Sequence, residues 1–214
     1  MKFTIKLQNF ALGLTIFMLL TSIINSSITI VSATPALFLN ISPDKQIYDI
    51  GDIIKITGNV TLDGSPISDA MVAIQVDSTY DTPYVIRTPQ TGPIQNTNWE
   101  VNITELYPCD QFGNLKETFI LGSTANYKIK WRNYSSDPKF IRIAAYIEYS
   151  NKVPCKAYFL HSGTISPQTE EFLIASFEIP GDAPLGTTTI YANIYTQAPK
   201  DDGYPYCPEK NTTF

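Results

Sequence analysis

Histidine occurs once in the sequence, at His161, and this restricts the acid–base and metal chemistry open to a single chain. Sites built from several histidine ligands are excluded, and a Ser-His-Asp triad would have to use this residue. Its neighbours Leu160 and Ser162 show neither a nucleophile elbow nor a glycine-rich oxyanion loop. We therefore expect an exposed or strand-edge histidine, and a hydrolase is the least favoured function.

Two acidic pairs, Glu170-Glu171 and Asp201-Asp202, are the other candidates for chemistry. Adjacent side chains of a strand point to opposite faces, so neither pair would place an acid and a base in one site. The loop around Asp201-Asp202 clusters only two carboxylates and lacks the spacing of an EF-hand, which favours an ordinary polar hairpin. The sequence predicts no catalytic residue, no metal site and no cofactor.

Tyrosine is abundant, with 13 residues, and could stack on sugar rings or simply fill strands with its hydroxyl end in water. Tyr204 and Tyr206 are the best candidates for a ligand-binding patch, because they stand among glycine and proline residues in a predicted loop. Loops on rigid β scaffolds are where binding residues concentrate.

Covalent modification is the stronger chemical signal, since Asn-x-Ser/Thr sequons recur along the chain. The sequon at Asn25 would leave with a cleaved signal. Asn59 and Asn102 fall on the predicted polar faces of strands, while Asn133 and Asn211 fall in predicted turns, which are positions that accommodate a glycan. The predicted glycosylation sites are Asn40, Asn59, Asn102, Asn133 and Asn211.

The composition indicates an all-β protein. Charged residues make up 16% of the chain, against about 25% in typical soluble domains. Thr, Ser, Asn and Tyr replace them, and these residue types favour strands and turns over helices. The net charge of -5 disfavours a nucleic-acid partner.

The N-terminus has the three parts of a secretory signal. Lys2 and Lys6 precede the apolar run Phe10 to Leu20, and Val31-Ser32-Ala33 supplies the small residues of a cleavage site. The run is shorter than the ~20 residues of a spanning helix, yet no charge occurs between Lys6 and Asp44. Residues 1–33 are thus predicted to be a signal peptide or an uncleaved signal anchor, which would be the only membrane contact. Both alternatives make the chain secreted or displayed on the cell surface.

Apolar and polar residues alternate with the period of a strand in both halves of the mature chain. In the first half, Ile54 to Leu62 alternates, Asp63-Gly64 forms a turn, and Val72 to Val76 resumes the pattern on a partner strand. In the second half the alternating runs begin near Tyr127, Ile141, Leu173 and Thr187. The turn-rich stretch that starts at Tyr107 separates them. We predict a β-sandwich at 34–106, a linker at 107–116 and a second sandwich at 117–214.

The segment Tyr48-Asp-Ile-Gly51-Asp52 with Gly58-x-Val60, followed by Gly64-x-Pro66-x3-Ala70, resembles macroglobulin-like and related immunoglobulin-like modules of bacterial and archaeal surface proteins. The second half is similar, more weakly, to the modules that often follow them, through Tyr127-x-Ile-x-Trp and Ile179-Pro-x3-Pro. The resemblance implies two tandem immunoglobulin-like β-sandwiches after an N-terminal signal helix, and families of this kind offer no catalytic residues to transfer.

Three cysteines, Cys109, Cys155 and Cys207, form no C-x-x-C pair, and in an exported protein they suggest one disulfide and one free thiol. In immunoglobulin-type sandwiches the chain enters at the end that carries the loop between the last two strands. Cys109 stands at this entry and Cys207 in that loop, with Cys155 at the opposite end. We therefore predict a Cys109–Cys207 disulfide and an unpaired Cys155.

The sequence therefore favours a non-catalytic exported or cell-surface module with a structural or interaction role such as adhesion, whose partners are other cell-envelope proteins or glycans. A carbohydrate-binding module that uses Tyr204 and Tyr206 is the alternative. Asn211 to Phe214 reads as a last strand that is incomplete, so we also expect the chain to continue or this sheet edge to be completed by another chain.

Overall fold

A computed structural model describes residues 36–46, 53–78, 80–93 and 98–214. The predicted signal peptide at 1–33 lies outside the described residues. The described chain is built from strands, which confirms the predicted all-β class, and none of its helices is long and apolar enough to cross a membrane. The strands are β1 (Leu37–Pro43), β2 (Ile56–Leu62), β3 (Ser65–Pro66), β4 (Ile74–Asp77), β5 (Pro83–Arg87), β6 (Val101–Cys109), β7 (Thr124–Asn133), β8 (Lys139–Tyr149), β9 (Pro154–Ile165), β10 (Glu170–Glu178), β11 (Thr188–Tyr195) and β12 (Lys210–Thr213).

The chain forms two compact units, divided between Ile67 and Ser68. In the first unit, β1, β2 and β3 make an antiparallel sheet in that order. The predicted turn between β2 and β3 is present, with Asp63 and Gly64 both at positive φ (50° and 81°). Glycine adopts this conformation without steric cost, which explains why the turn occurs here.

Two antiparallel sheets, ordered β10-β7-β6 and β12-β11-β8-β9, form the main part of the second unit, which also contains the hairpin β4–β5. One hydrophobic core lies between these two sheets, because alternate apolar residues of both sheets point inward. Trp131 and Tyr127 are the largest fully buried side chains of this core. The apolar residues of β7 and β8 thus help to form a packed two-layer unit. Its strands hold the loops at both ends in place.

The hairpin β4–β5 covers the outer face of the four-stranded sheet. Ile86 and Val85 of the hairpin pack on Ala144, Tyr146 and Tyr195 in a second, smaller core. Val72 to Val76 had been predicted to pair with the strand that ends at Leu62, but β4 pairs with β5 instead. The alternation correctly predicts a strand, whereas the partner of that strand depends on contacts that are distant in sequence.

The predicted boundary at 106 and the predicted linker at 107–116 do not coincide with the observed division. Strand β6 runs through residue 106 and pairs with β7 from Val101↔Asn133 to Cys109↔Asn126. The turn-rich residues after it form the hairpin loop between these two strands, closed by the Asp110 N–H bond to the Asn114 carbonyl at 2.8 Å. A hairpin loop and a linker share the same turn-forming composition, which explains the difference.

Strand β12 forms the edge of the four-stranded sheet. It pairs with β11 from Thr189↔Thr213 to Ala192↔Lys210, and Phe214 continues the ladder through two backbone hydrogen bonds with Thr188. Completion of this edge by another chain stays a prediction.

A polar cluster joins the hairpin and the sheet. The guanidinium of Arg87 donates two short hydrogen bonds to the Glu209 carboxylate, both 2.8 Å long, and lies 3.7 Å from the centre of the Tyr191 ring. Beside it, Glu148 is 5% exposed and accepts hydrogen bonds from Tyr146, Tyr191 and Lys152. Burial by itself raises the pKa of Glu148, but these three donors outweigh it and the pKa lies below its ordinary value of 4.5.

We expect the stability of this cluster to depend on pH. Because the pKa of Glu148 is lower in the folded chain, its carboxylate stabilises the fold above the unfolded pKa and loses this effect as pH falls through the folded pKa. Glu148→Gln should lower the free energy of unfolding by about 2 kcal/mol at pH 7, and the difference from wild type should shrink below pH 4.5. Urea unfolding from pH 7 to pH 3 measures this. The exposed Glu178→Gln is the control, and a constant Glu148→Gln deficit across this range would contradict the expectation.

Candidate functional site

The loop between β11 and β12 holds the two tyrosines predicted to bind ligand. It begins with a 3-10 turn at Pro199–Asp201, and a side chain at Gly203 would collide with the backbone carbonyl of Gln197, so only glycine fits there. Tyr204 then bonds back to Thr196 through its N–H and carbonyl, and the Tyr206 N–H donates to the Ile194 carbonyl at 2.9 Å. The backbone of Tyr204 and that of Tyr206 are therefore both anchored to the end of β11.

The two rings lie side by side at the surface. Their centroids are 6.2 Å apart and their planes are tilted by 57°. The Tyr204 side chain is 40% exposed, and Phe140, at the start of β8, is 49% exposed. The Tyr206 hydroxyl donates to the Phe140 carbonyl at 3.1 Å, and burial, with smaller contributions from Tyr204 and Glu100, raises the pKa of Tyr206 to about 12. The hydroxyl therefore stays protonated and holds its ring in place.

An ion pair borders the rings. Lys139 lies 2.8 Å from the carboxylate of Glu100, and the hydrogen bond between them raises the pKa of Lys139. The Glu100 side chain remains 57% exposed, so its second oxygen can accept a hydrogen bond from a ligand. We call Tyr204, Tyr206, Glu100 and Lys139 the tyrosine face. It offers ring surfaces for apolar C–H groups together with a carboxylate and an ammonium group for hydroxyls.

No local sequence pattern indicates Glu100 or Lys139 as members of this site. Phe140 contributes its backbone carbonyl and not its ring, because it is out of phase with Lys139 and with the inward-facing Ile141 and Ile143 of β8. Alternation therefore places this aromatic ring on the solvent side. Glu100 precedes β6 and comes near Lys139 only through the sheet packing, which no local pattern reveals.

The structure separates the predicted glycosylation sites. Asn40, Asn59 and Asn211 are exposed, and Asn102 is half-buried. Asn40 and Asn59 are directly paired across β1 and β2, so glycans on both would share one face. These four positions stay predictions.

Asn133 differs from these four positions in its surroundings, and its glycosylation also stays a prediction. The residue is fully buried, and its Nδ2, the atom that would carry a glycan, donates to the carbonyls of Asp137, Ile165 and Ser166 at 2.8 to 3.3 Å. Its Oδ1 accepts bonds from the N–H and hydroxyl of Ser135. The side chain ties two neighbouring turns together, which is a structural role.

His161 packs on Trp131, with ring centroids 5.6 Å apart, and its Nε2 lies over Gly163. Among the described residues, no serine or carboxylate is hydrogen-bonded to this imidazole, so the hydrolase hypothesis gains no support from them. Asp201 ends the 3-10 turn and Asp202 follows it in the left-handed region. Within the described ranges, no three His, Cys, Asp or Glu residues are grouped to hold a metal.

The structure does not form the predicted disulfide, and Cys109, Cys155 and Cys207 are all free. Cys207 is hydrogen-bonded to the backbone of Ile103, near the start of β6, whereas Cys109 ends that strand. Ile103 and Cys109 pair with β7 residues five positions apart, or about 16 Å at 3.3 Å per residue. A disulfide requires Cα atoms within about 7 Å, so this pairing does not fit. The loop after β11 therefore lies near the start of β6. The predicted disulfide requires this loop at the opposite end of β6, where Cys109 lies.

Comparisons with known proteins show little similarity. No family model matches the chain, and no curated protein matches it. A solved structure of the Pseudomonas fluorescens alkylpurine DNA glycosylase AlkC, bound to DNA containing an abasic site analogue, is similar over 54% of this chain and 30% of that one, at 12% identity and a TM-score of 0.40. The C-terminal domain of Wzt is similar over 52% of this chain and 68% of that one, at 10% identity and a TM-score of 0.41. The chain thus spans less than a third of the glycosylase structure.

Proposed function

We propose that this protein is a non-catalytic interaction module that is exported and displayed at the cell surface. In this proposal the chain carries tandem immunoglobulin-like modules, the N-terminal segment directs export, and the partners are cell-envelope proteins or glycans. The observation that carries the proposal is the tyrosine face, a set of partly exposed aromatic rings on a loop anchored to a rigid two-layer unit. The exposed sequon asparagines Asn40, Asn59 and Asn211 support an extracellular location.

Labelling of intact cells tests the location. An amine-reactive reagent that does not cross membranes should modify the exposed Lys152 and Lys156 before the cells are lysed. A cytoplasmic protein of similar abundance serves as the control. Labelling of this chain only after lysis would contradict surface display.

Carbohydrate binding at the tyrosine face is the second candidate. The observation in its favour is the combination of tilted rings with the Glu100–Lys139 ion pair. Sugar rings present apolar C–H faces to aromatic side chains and hydroxyls to charged groups, and this surface supplies both kinds of contact.

We expect Tyr204→Ala to weaken saccharide binding about fivefold to tenfold, because it removes an exposed ring without exposing the core. Tyr206→Phe should weaken binding less, since the ring remains and only the hydrogen bond to Phe140 is lost. Wild type and both variants are compared on a glycan array and then by calorimetry with the strongest neutral ligand. Tyr84→Ala, at an exposed tyrosine of β5, is the matched control. Equal binding by wild type and Tyr204→Ala would exclude this face as the saccharide site.

A further inference from the structure

The outer face of the sheet β10-β7-β6 carries a row of cations. Lys128, Lys130 and Arg132 alternate along β7 with the buried Tyr127, Ile129 and Trp131, so all three point away from the core. The register places Tyr107 beside Lys128 and Phe172 beside Lys130. We call Lys128, Lys130, Arg132, Tyr107 and Phe172 the cation face.

Lys128 is held between aromatic rings. Its ammonium nitrogen lies 4.7 Å from the centre of the Phe172 ring and 5.7 Å from that of Tyr107. Gly113, in the loop after β6, lies against its aliphatic stem and against Ile174, and the Tyr107 hydroxyl donates to the Gly113 carbonyl. These contacts fix the position of the ammonium group while Phe172 stays 59% exposed.

Two of the three cations lack a carboxylate partner. Lys130 is paired with Glu170 at 2.7 Å and with Glu105 at 3.4 Å. In the described part of the chain, by contrast, neither Lys128 nor Arg132 forms an ion pair. The Arg132 guanidinium lies 5.2 Å from the centre of the Tyr134 ring, its Nε lacks a hydrogen-bond partner, and the register places Arg132 opposite Glu170 and Asn102. Lys128 and Arg132 are four positions apart on β7, or about 13 Å. Acidic residues outnumber basic ones 20 to 15 in this chain, so two unpaired cations on one face of one strand are not explained by composition.

We propose that the cation face binds an acidic polysaccharide, with uronate carboxylates at Lys128 and Arg132 and sugar rings on Phe172 and Tyr107. Charge complementarity favours an anionic ligand, and the exposed Phe172 ring with the half-buried Tyr107 ring favours one with apolar ring faces. The flat, strand-borne arrangement fits an extended chain whose charges recur along its length. This site is on a different sheet and has different chemistry from the tyrosine face, so the proposal goes beyond the function proposed above.

Affinity electrophoresis with polygalacturonate, alginate and hyaluronan tests the proposal, with neutral dextran as the reference. The protein is made in a host without N-glycosylation, because Asn102 pairs with Arg132 and a glycan there would occupy this face. Wild type should bind at least one acidic polymer and not dextran, and binding should weaken in high salt. Lys128→Gln should reduce affinity at least about tenfold and Phe172→Ala about fivefold.

Lys156→Gln is the matched control, since Lys156 also lies over a ring, that of Tyr158 at 5.5 Å, but on the other sheet. It should bind like wild type, and so should Tyr204→Ala, which separates this site from the tyrosine face. The proposal is overturned if none of the three acidic polymers binds. It is equally overturned if Lys156→Gln weakens binding as much as Lys128→Gln, or if single-stranded DNA binds as tightly as the polysaccharide.

Discussion

Replacing Asn133 by alanine should lower the free energy of unfolding by about 3 kcal/mol. The side chain is fully buried and makes hydrogen bonds to both turns that flank it, at Ser135–Asp137 and at Ile165–Ser166. Alanine leaves those backbone carbonyls without their donor and opens a cavity. Urea unfolding followed by tryptophan fluorescence measures the change, since Trp131 is in the adjacent core.

Asn133→Asp tests the same hydrogen bonds more specifically. Aspartate has the shape of asparagine and keeps an acceptor for Ser135, but it points oxygen instead of N–H at three carbonyls. It should therefore be more destabilising than alanine at pH 7, and part of the loss should be recovered at low pH. Asn211→Ala, at an exposed sequon, should change stability by less than about 0.5 kcal/mol. Peptide mapping that finds a glycan on Asn133 in folded protein, or an Asn133→Ala variant as stable as wild type, would contradict this role.

Removing the carboxylate of Glu209 should lower the free energy of unfolding by about 3 kcal/mol. The Glu209 side chain is 10% exposed and Arg87 30% exposed, so Glu209→Ala leaves a largely buried guanidinium without its bidentate partner. The Thr88 N–H loses the same acceptor. Hydrogen exchange should then show faster opening of the hairpin β4–β5 than of the main core.

The double variant Arg87→Leu/Glu209→Leu distinguishes a lost partner from a general loss of packing. When both charges are replaced by apolar groups, no buried charge remains, and the double variant should be less destabilised than Glu209→Ala alone. The pair would not hold the hairpin in place if the losses of unfolding free energy in the two single variants simply added up in the double variant. The same conclusion would follow if amide hydrogen exchange of the hairpin were unchanged in Glu209→Ala.

Local patterns were sufficient for the class of the fold and for single strands. Period-2 alternation around Ile56–Leu62, Thr124–Asn133 and Lys139–Tyr149 predicted strands that are present, and Asp63-Gly64 predicted a turn that is present. These features depend on side chains that are near one another in sequence. The glycine and proline neighbours of Tyr204 predict its exposed position in a loop for the same reason.

Features that depend on distant contacts could not be obtained in this way. The partner of β4, the inclusion of β6 in the later unit and the end of the sheet at which Cys207 lies are decided by strand order. The burial of Asn133 requires carbonyls more than 30 positions away, at Ile165 and Ser166. The sequon there has the same three-residue pattern as the exposed one at Asn211, so the motif alone cannot separate them.

The proposed interaction function is tested most directly by measuring how the purified protein binds to cell envelopes of the organism that produces it. We expect saturable binding that falls at least about fivefold in Tyr204→Ala, while the matched Tyr84→Ala binds like wild type. Binding that does not saturate, or that is the same for wild type and Tyr204→Ala, would contradict a recognition role for the tyrosine face.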